Sequence, residues 1–548
     1  MTVVMLSACS KDESENQSKK GSTAVSINAK LPNSRVTENE NSTYGLKTTW
    51  NSDDKLSVLY EESGTSSFAK ATFVNNTTDG GNSFVCDNLT DNQYKGFHDN
   101  SLCAVNDNES DNITASIDET NPAKASVTVD LAGQNGTYTN VAKYDLLEAI
   151  GSGGGDNMVG NERTLEFKHQ MCVLRFAIPT SSLPTSVSSM TFTYAPSSSN
   201  ASKLLASQDV FTFVYGGGQS SEANYVDKYT LSNPSLTDTN GTTYVYLIVP
   251  PTSTTLNGSL IVDVGGGDGY NYRGVVDING KQFVNQNVEA TALNMVKIEI
   301  GDFIKTDGGI VKHDSGGAPK NISTTDEADI VGLITSASPT TSVTDYDAAA
   351  GYTHGYAMAL TDSRYNGSAD FKWYDVDPTI NATITSEDFQ SALKDNYGYK
   401  WTKECEAAGY STTVYPAAYG AVNFNGLTSP AASSGWFLPS AGQLYQVWVD
   451  FCNVTNGIDK SNYWHINTNT FSAYTSLNSA LNGANSNWSL PKVADAALFT
   501  PQYWTSSMHS DINAFSICIY NNTFDQGAFD LYYNAKNIGN RVRSFVAF

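Results

Sequence analysis

The chain has 548 residues, of which 40% are hydrophobic and 16% charged, so it is too apolar to stay disordered. At roughly 150 residues per domain it should hold three or four packed domains. Its 32 Lys and Arg against 56 Asp and Glu give a formal charge of −24, which excludes a basic nucleic-acid-binding face and electrostatic docking on anionic lipid. No stretch of about 20 apolar residues is present, so no membrane-spanning helix is expected.

Thirty Tyr, 23 Phe and 8 Trp, with abundant Thr and Val, suit many short strands rather than long helices. Seven cysteines are too sparse for a disulfide scaffold, and none form Cys-x-x-Cys. Cys172 lies in an apolar run and reads as core. Cys405 and Cys452 either pair or remain thiols, and the sequence leaves both open.

Residues 1–22 read as a lipoprotein signal and tether. Leu6-Ser7-Ala8-Cys9 has the form of a bacterial lipobox, making Cys9 the candidate lipidation residue, with acyl chains as the anchor. The stretch before Cys9 is short for a signal segment, which points to a start further upstream. Ser10-Lys11-Asp12-Glu13 resembles the surface-export signal of Bacteroidetes lipoproteins; an ordinary solvated tether is the other reading.

Residues 23–160 are expected to form a first β-sandwich. Val25, Ile27, Ala29 and Leu31 alternate with polar residues, the period of a half-buried strand. Further strands are predicted at Lys55–Tyr60, Lys70–Val74, Ser83–Cys86, Leu102–Val105 and Ala125–Leu131. A second sandwich is expected over 161–303. It opens with Leu165–Ile178, contains Thr243–Val249 followed by Pro250-Pro251, and closes with Met295–Ile300. Strands every 8–12 residues with Gly, Asn and Asp turns indicate antiparallel sandwiches. His169 stands without another ligand at metal spacing and reads as structural.

The lipobox, the alternating first strand followed by Arg35, Trp50 with its Asp-containing turn, and Phe167-x-His169 leading to Leu174-x-Phe176 together resemble the fimbrillin family. These are the type V pilus subunits of Bacteroidetes, with two transthyretin-like sandwiches. The resemblance covers about residues 20–302. It implies that an Arg-specific protease removes the first strand, here by cutting after Arg35. The displaced strand would carry Val25, Ile27, Ala29 and Leu31, and a strand from another pilus subunit would fill its place.

Residues 304–329, rich in Gly, Ser, Thr and Asp, read as a linker. In 330–548, strands are predicted at Ile330–Thr335, His354–Asp362, Ala514–Tyr520, Ala528–Tyr532 and Val542–Phe548. Phe389, Leu393 and Tyr397 share helical spacing. Ser440 caps a helix bearing Leu444, Val447, Trp448 and Phe451. Phe471–Leu481 is a third possible helix. Gly435-Trp436-Phe437-Leu438-Pro439-Ser440, Tyr503-Trp504-Thr505-Ser506-Ser507 and Arg541-Val542-Arg543 resemble the "major paralogous" surface domains with a C-type-lectin-like fold. Trp436 and Trp504 read as core anchors, and Arg541 and Arg543 as partners of buried carbonyls or carboxylates.

Relatives of that fold that generate formylglycine need two close cysteines in the C-terminal part, and only Cys518 is there. His465 and His509 have no evident triad partners. The chain is therefore expected not to be an enzyme, and to need no cofactor or metal. The calcium-lectin triplets are absent, leaving Asn485, Asn487 and Trp488 as glycan-contact candidates. The fold class expected is mainly β: two tandem antiparallel sandwiches and a C-terminal α+β domain. The function expected is a fimbrial tip or accessory subunit at the outer membrane and cell surface. Its partners would be other pilus subunits, an Arg-specific protease, and a host or bacterial surface ligand, glycan included. The alternative is a non-polymerising, glycan-binding surface lipoprotein that keeps its first strand. Because Arg541–Phe548 reads as core of the third domain, its strand is not expected to be donated.

Overall fold

The structure, a computed structural model, describes residues 23–31, 50–77, 81–107, 112–141, 143–151, 158–198, 202–216, 218–285, 288–314, 328–337, 351–374, 388–423, 427–452, 458–459, 464–466, 502–520 and 528–548. The chain is mainly β. Its first strands are β1 (Thr23–Lys30), β2 (Lys55–Glu61), β3 (Phe68–Asn75), β4 (Ser83–Leu89), β5 (Leu102–Asp107), β6 (Ile113–Ile117), β7 (Lys124–Asp130), β8 (Leu147–Gly151), β9 (Met158–Val159), β10 (Glu162–Glu166) and β11 (Lys168–His169). Nine of them form one sheet in the order β11-β8-β5-β2-β3-β4-β1-β10-β9. Helix α1 (Asp91–Asp99) joins β4 to β5. Thr90 and Gln93 cap it reciprocally, side chain to backbone amide in both directions. Gly96 lets α1 lie close to β2, because a Cβ there would stand 2.5 Å from the Glu61 carbonyl oxygen.

The next strands are β12 (Cys172–Pro179), β13 (Val187–Pro196), β14 (Ala206–Val214), β15 (Gly218–Tyr225), β16 (Lys228–Ser232), β17 (Asp238–Thr239), β18 (Thr242–Val249), β19 (Gly258–Gly266), β20 (Asn271–Asp277), β21 (Val288–Ala292) and β22 (Val296–Lys297). Sheets β17-β18-β12-β21 and β16-β13-β19-β20-β22 enclose a core that includes Leu174, Phe176, Phe192, Leu231, Leu247 and Val262. Alternation explains the other face of β12: Val173 points instead into a second core with Val127, Phe211 and Ile248.

That second core belongs to a four-stranded sheet, β15-β14-β7-β6, which crosses the boundary expected at 160/161. Strand β14 continues the β6–β7 hairpin through Asp209↔Val129 and Phe211↔Val127. The first two units therefore interlock through shared sheets, because the exposed edge of β7 is satisfied by a strand from later in the chain.

The third region contains β23 (Phe303–Lys305), β24 (Ile310–Val311), β25 (Ile330–Ser336), β26 (Tyr356–Ala359), β27 (Asp370–Lys372), β28 (Ile458–Asp459), β29 (Trp464–Ile466), β30 (Gln502–Met508), β31 (Asn513–Tyr520), β32 (Ala528–Ala535), β33 (Gly539–Arg541) and β34 (Phe545–Ala547). They form two sheets, β24-β23-β25-β26-β34 and β27-β33-β30-β31-β32-β29-β28. The expected linker thus begins with two strands, since Phe303, Ile304 and Ile310 carry apolar side chains that close this sheet. Helix α2 (Gly398–Ala407) was not expected as an element, whereas α3 (Ala441–Cys452) is the helix predicted after Ser440. Only Phe389–Ala392 of the spacing that ran to Tyr397 is helical before α2. Phe471–Leu481 lies outside the described residues.

Candidate functional site

The alternation read in the first strand is realised. Val25, Ile27 and Ala29 are buried at 1%, 0% and 0% exposure, while Ala24 and Lys30 face out. Leu31 packs against the same core from a half-buried position. Strand β1 is an interior strand. It pairs antiparallel with β4 through Ile27↔Phe84 and parallel with β10 through Ile27↔Arg163 and Ala29↔Leu165. Flanking bonds extend the ladder: the Ser26 amide donates to the Asn161 carbonyl (2.9 Å), the Ala29 amide to Asn82 (2.8 Å), and the Phe167 amide to Lys30 (2.8 Å). Withdrawal of β1 would leave two facing rows of backbone groups and an apolar slot between β4 and β10.

Aromatic rings wall this slot. Trp50 meets Phe84 edge-to-face at 5.0 Å and Phe167 at 5.4 Å between ring centres. Its indole Nε1 donates to the Ala29 carbonyl at 3.0 Å. Arg163 of β10 is fully buried, and its Nη1 donates to the Phe97 carbonyl (2.7 Å) and the Asn100 carbonyl (3.2 Å). This ties the end of α1 to the strand beside β1. A cavity of about 510 Å³ opens at the end of β1, lined by Lys30, Glu148, Thr164, Glu166, Lys168 and Gln219 among others. Burial raises the Glu148 carboxyl, against the hydrogen bond from Gln219 Nε2 at 2.9 Å.

His169 does have a carboxylate partner: its Nδ1 lies 2.8 Å from Asp145, and both side chains are buried. Asn106 Nδ2 donates to the Asp145 carbonyl (3.0 Å), and Asn106 Oδ1 accepts from the Leu147 amide (2.8 Å). The pair closes a polar joint between β5 and β8, as the structural reading required. Its partner stood 24 residues upstream, at a spacing that carries no motif.

In the third region Trp504 is fully buried and its Nε1 donates to the Phe371 carbonyl at 2.7 Å. Trp436 Nε1 donates to Leu427 at 3.2 Å. Arg541 Nη1 lies 2.8 Å, and Arg543 Nε 2.9 Å, from the two oxygens of Asp362. Arg543 Nη1 also donates to the Ala359 carbonyl. Burial followed by the Asp362 charge pushes the Tyr503 phenol far up, so its hydroxyl stays protonated. Ser507 Oγ donates to Asp395 at 2.6 Å and accepts from the Ala441 amide at 2.9 Å. These bonds, with Ser440 Oγ donating to the Asp395 carbonyl, make a clasp at the start of α3.

The third region is fastened to the second sandwich. Arg273 of β20 pairs with Asp263 of β19 through Nε (2.6 Å) and Nη2 (3.1 Å). His354 Nε2 reaches the same carboxylate at 3.2 Å, and the guanidinium lies 5.2 Å from the Phe548 ring centre. Although burial alone would raise it, Asp263 is held far below the ordinary carboxylate range by Arg273 and His354. Strand β34 pairs antiparallel with β26 through Tyr356↔Ala547 and Met358↔Phe545.

Cys405 is a free, buried thiol. Cys9, Arg35, Asn485, Asn487 and Trp488 lie outside the described residues. Among the described residues no helix is long and apolar enough to cross a membrane.

No family model and no curated relative matches the sequence. Among solved structures, the chain is similar to a fimbrial protein from Bacteroides ovatus at 13% identity and a TM-score of 0.36, covering 96% of this chain and 98% of that one. It is also similar to a fimbrial protein from Bacteroides vulgatus (12% identity, TM-score 0.24, 50% and 98% covered). A third is the fimbrial anchor protein Mfa2 from Porphyromonas gingivalis (11% identity, TM-score 0.24, 44% and 76% covered).

Proposed function

We propose that this chain is a cell-surface fimbrial subunit of the tip or accessory type, assembled by donor-strand exchange after proteolytic removal of its first strand. The reading rests on one observation: β1 is an interior strand whose inward side chains are fully buried between β4 and β10. A cut after Arg35 releases β1 from the body of the chain and leaves a slot for another subunit's strand. The third region is read as a C-type-lectin-like domain that carries adhesion, with Asn485, Asn487 and Trp488 as its glycan-contact residues. Strand β34 supports a distal position, because its backbone and its buried Phe545, Val546 and Ala547 are committed to the third region's own sheet. Cys9 is the lipid anchor before processing, and the subunit works at the outer membrane and cell surface without catalysis.

The test is to treat the chain with an Arg-specific protease, add a fimbrillin stalk subunit, and follow both by native mass spectrometry and N-terminal sequencing. Loss of residues up to Arg35 with a stable 1:1 complex is expected. An uncut chain that stays monomeric would overturn the reading in favour of a stand-alone surface lipoprotein.

A further inference from the structure

We infer that Trp50 sets the side-chain pattern of any strand that occupies the slot of β1, admitting large apolar residues at the first two inward positions and only a small one at the third. The inference rests on the strand-exchange reading for its biological meaning, and on β1 itself for its geometry. The inward series of β1 is Val25, Ile27, Ala29, and all three are buried to 1% exposure or less. The shrinkage at the third position has a visible cause. Trp50 donates its indole N–H to the carbonyl of Ala29 itself, at 3.0 Å. That bond holds the indole against the strand at this residue. The ring is then fixed from two further sides by edge-to-face contact with Phe84 of β4 and with Phe167 just beyond β10. Ala29 and the three rings share one buried core cluster, with Phe84 opposite Ile27 in the ladder and Trp50 bonded at the level of Ala29. Well-packed aromatic walls do not yield to extra methylenes without strain.

Trp50 follows Arg35 in the chain, so a cut there leaves it with the body that keeps the slot. Its N–H would then lose the Ala29 carbonyl, and an incoming strand's backbone would offer a carbonyl at the same level. The filter therefore reads two things at one position: a carbonyl in register and a small side chain behind it. The partner it fits is an extended segment of a second polypeptide with two branched apolar residues, each separated by one residue, and then Ala, Gly or Ser. One residue of slippage would present the outward set Ala24, Ser26 and Asn28 to the core, which the slot would reject.

The first test is a double-mutant cycle in the full chain, read by urea unfolding. Ala29→Leu is expected to lower the midpoint strongly in the wild-type background and much less in Trp50→Ala. Ala29→Val and Trp50→Phe give the same comparison with milder changes if the larger ones do not fold. Equal losses in both backgrounds, in both pairs, would overturn the inference. The second test cuts the full chain with an Arg-specific protease in the presence of a synthetic peptide of residues 23–31. The peptide is expected to be retained, and its Ala29→Leu form about tenfold more weakly, the lower end of what overpacking one core position costs. In the Trp50→Ala chain that preference should vanish, and its persistence would overturn the inference. Retention of neither peptide, with coupling intact in the first test, would refute strand exchange and leave the size filter standing.

Discussion

Asp209 offers the sharpest quantitative test of the core. It lies in β14, on the face that sends Phe211 and Phe213 into the interlocking core, and it is 2% exposed. Its Oδ1 has no hydrogen-bond partner among the described residues. Burial pushes its carboxyl up to about 6, only partly offset by the Val210 amide. An acid with a raised folded-state value binds its proton more tightly folded than unfolded. Its contribution to stability is therefore full below the unfolded value of 3.8 and is lost as pH rises through about 6. At 1.36 kcal/mol per tenfold change, that window is worth about 3 kcal/mol. Asp209→Asn removes the titration while keeping the shape. The assay is urea unfolding of both chains across pH 4 to 8, followed by tryptophan fluorescence. Wild type should lose about 2.5 kcal/mol relative to Asp209→Asn between the ends of that range, most of it between pH 4 and 6. Parallel curves for the two chains would refute the reasoning.

Three other outcomes are expected. Ile27→Ala empties a fully buried position in β1 and should cost about 2–5 kcal/mol; it should also speed release of β1 under limited Arg-specific proteolysis, and an unchanged rate would argue against β1 as a keystone. Arg273→Met leaves Asp263 buried without its two-point guanidinium partner and should destabilise by about 3–5 kcal/mol, whereas Arg273→Met with Asp263→Leu should recover much of this. Burial pushes the Cys405 thiol up to about 12, so it should resist alkylation at pH 8 until the chain is unfolded; rapid labelling would contradict its packing.

Period-two alternation was legible wherever one face of a strand is wet: Val25, Ile27 and Ala29 point inward as read, and the strand read at Ala125–Leu131 is β7, Lys124–Asp130, with Ala125, Val127 and Val129 buried. Ser440 was legible as a cap because its side chain accepts from the Gln443 amide three residues on, while Gln443 Oε1 accepts from the Ser440 amide. The same signature at Thr90 and Gln93 marks α1, where strands alone had been expected on either side. Leu165–Ile178 shows where the signal fails. It reads as one run, yet it is divided among β10, β11 and β12, which belong to two different sheets. An apolar run states that both faces are covered, and does not say by what.

The sequence by itself determined that this chain is a β-rich, acidic protein, which strands have an inward face, and that aromatic anchors such as Trp436 and Trp504 must be buried. Those properties are local: they follow from side-chain period and from the water-aversion of individual residues. Only the tertiary structure decided that β14 completes the sheet of β6 and β7, that His169 meets Asp145, and that β1 sits between β4 and β10. Asn161, which caps the start of β1 at the Ala24 carbonyl, lies 137 residues from it. Every strand offers the same backbone donors and acceptors, so the ladder does not name its neighbour. The choice falls to how the facing side chains fill space together, and that is settled only when the whole core is assembled.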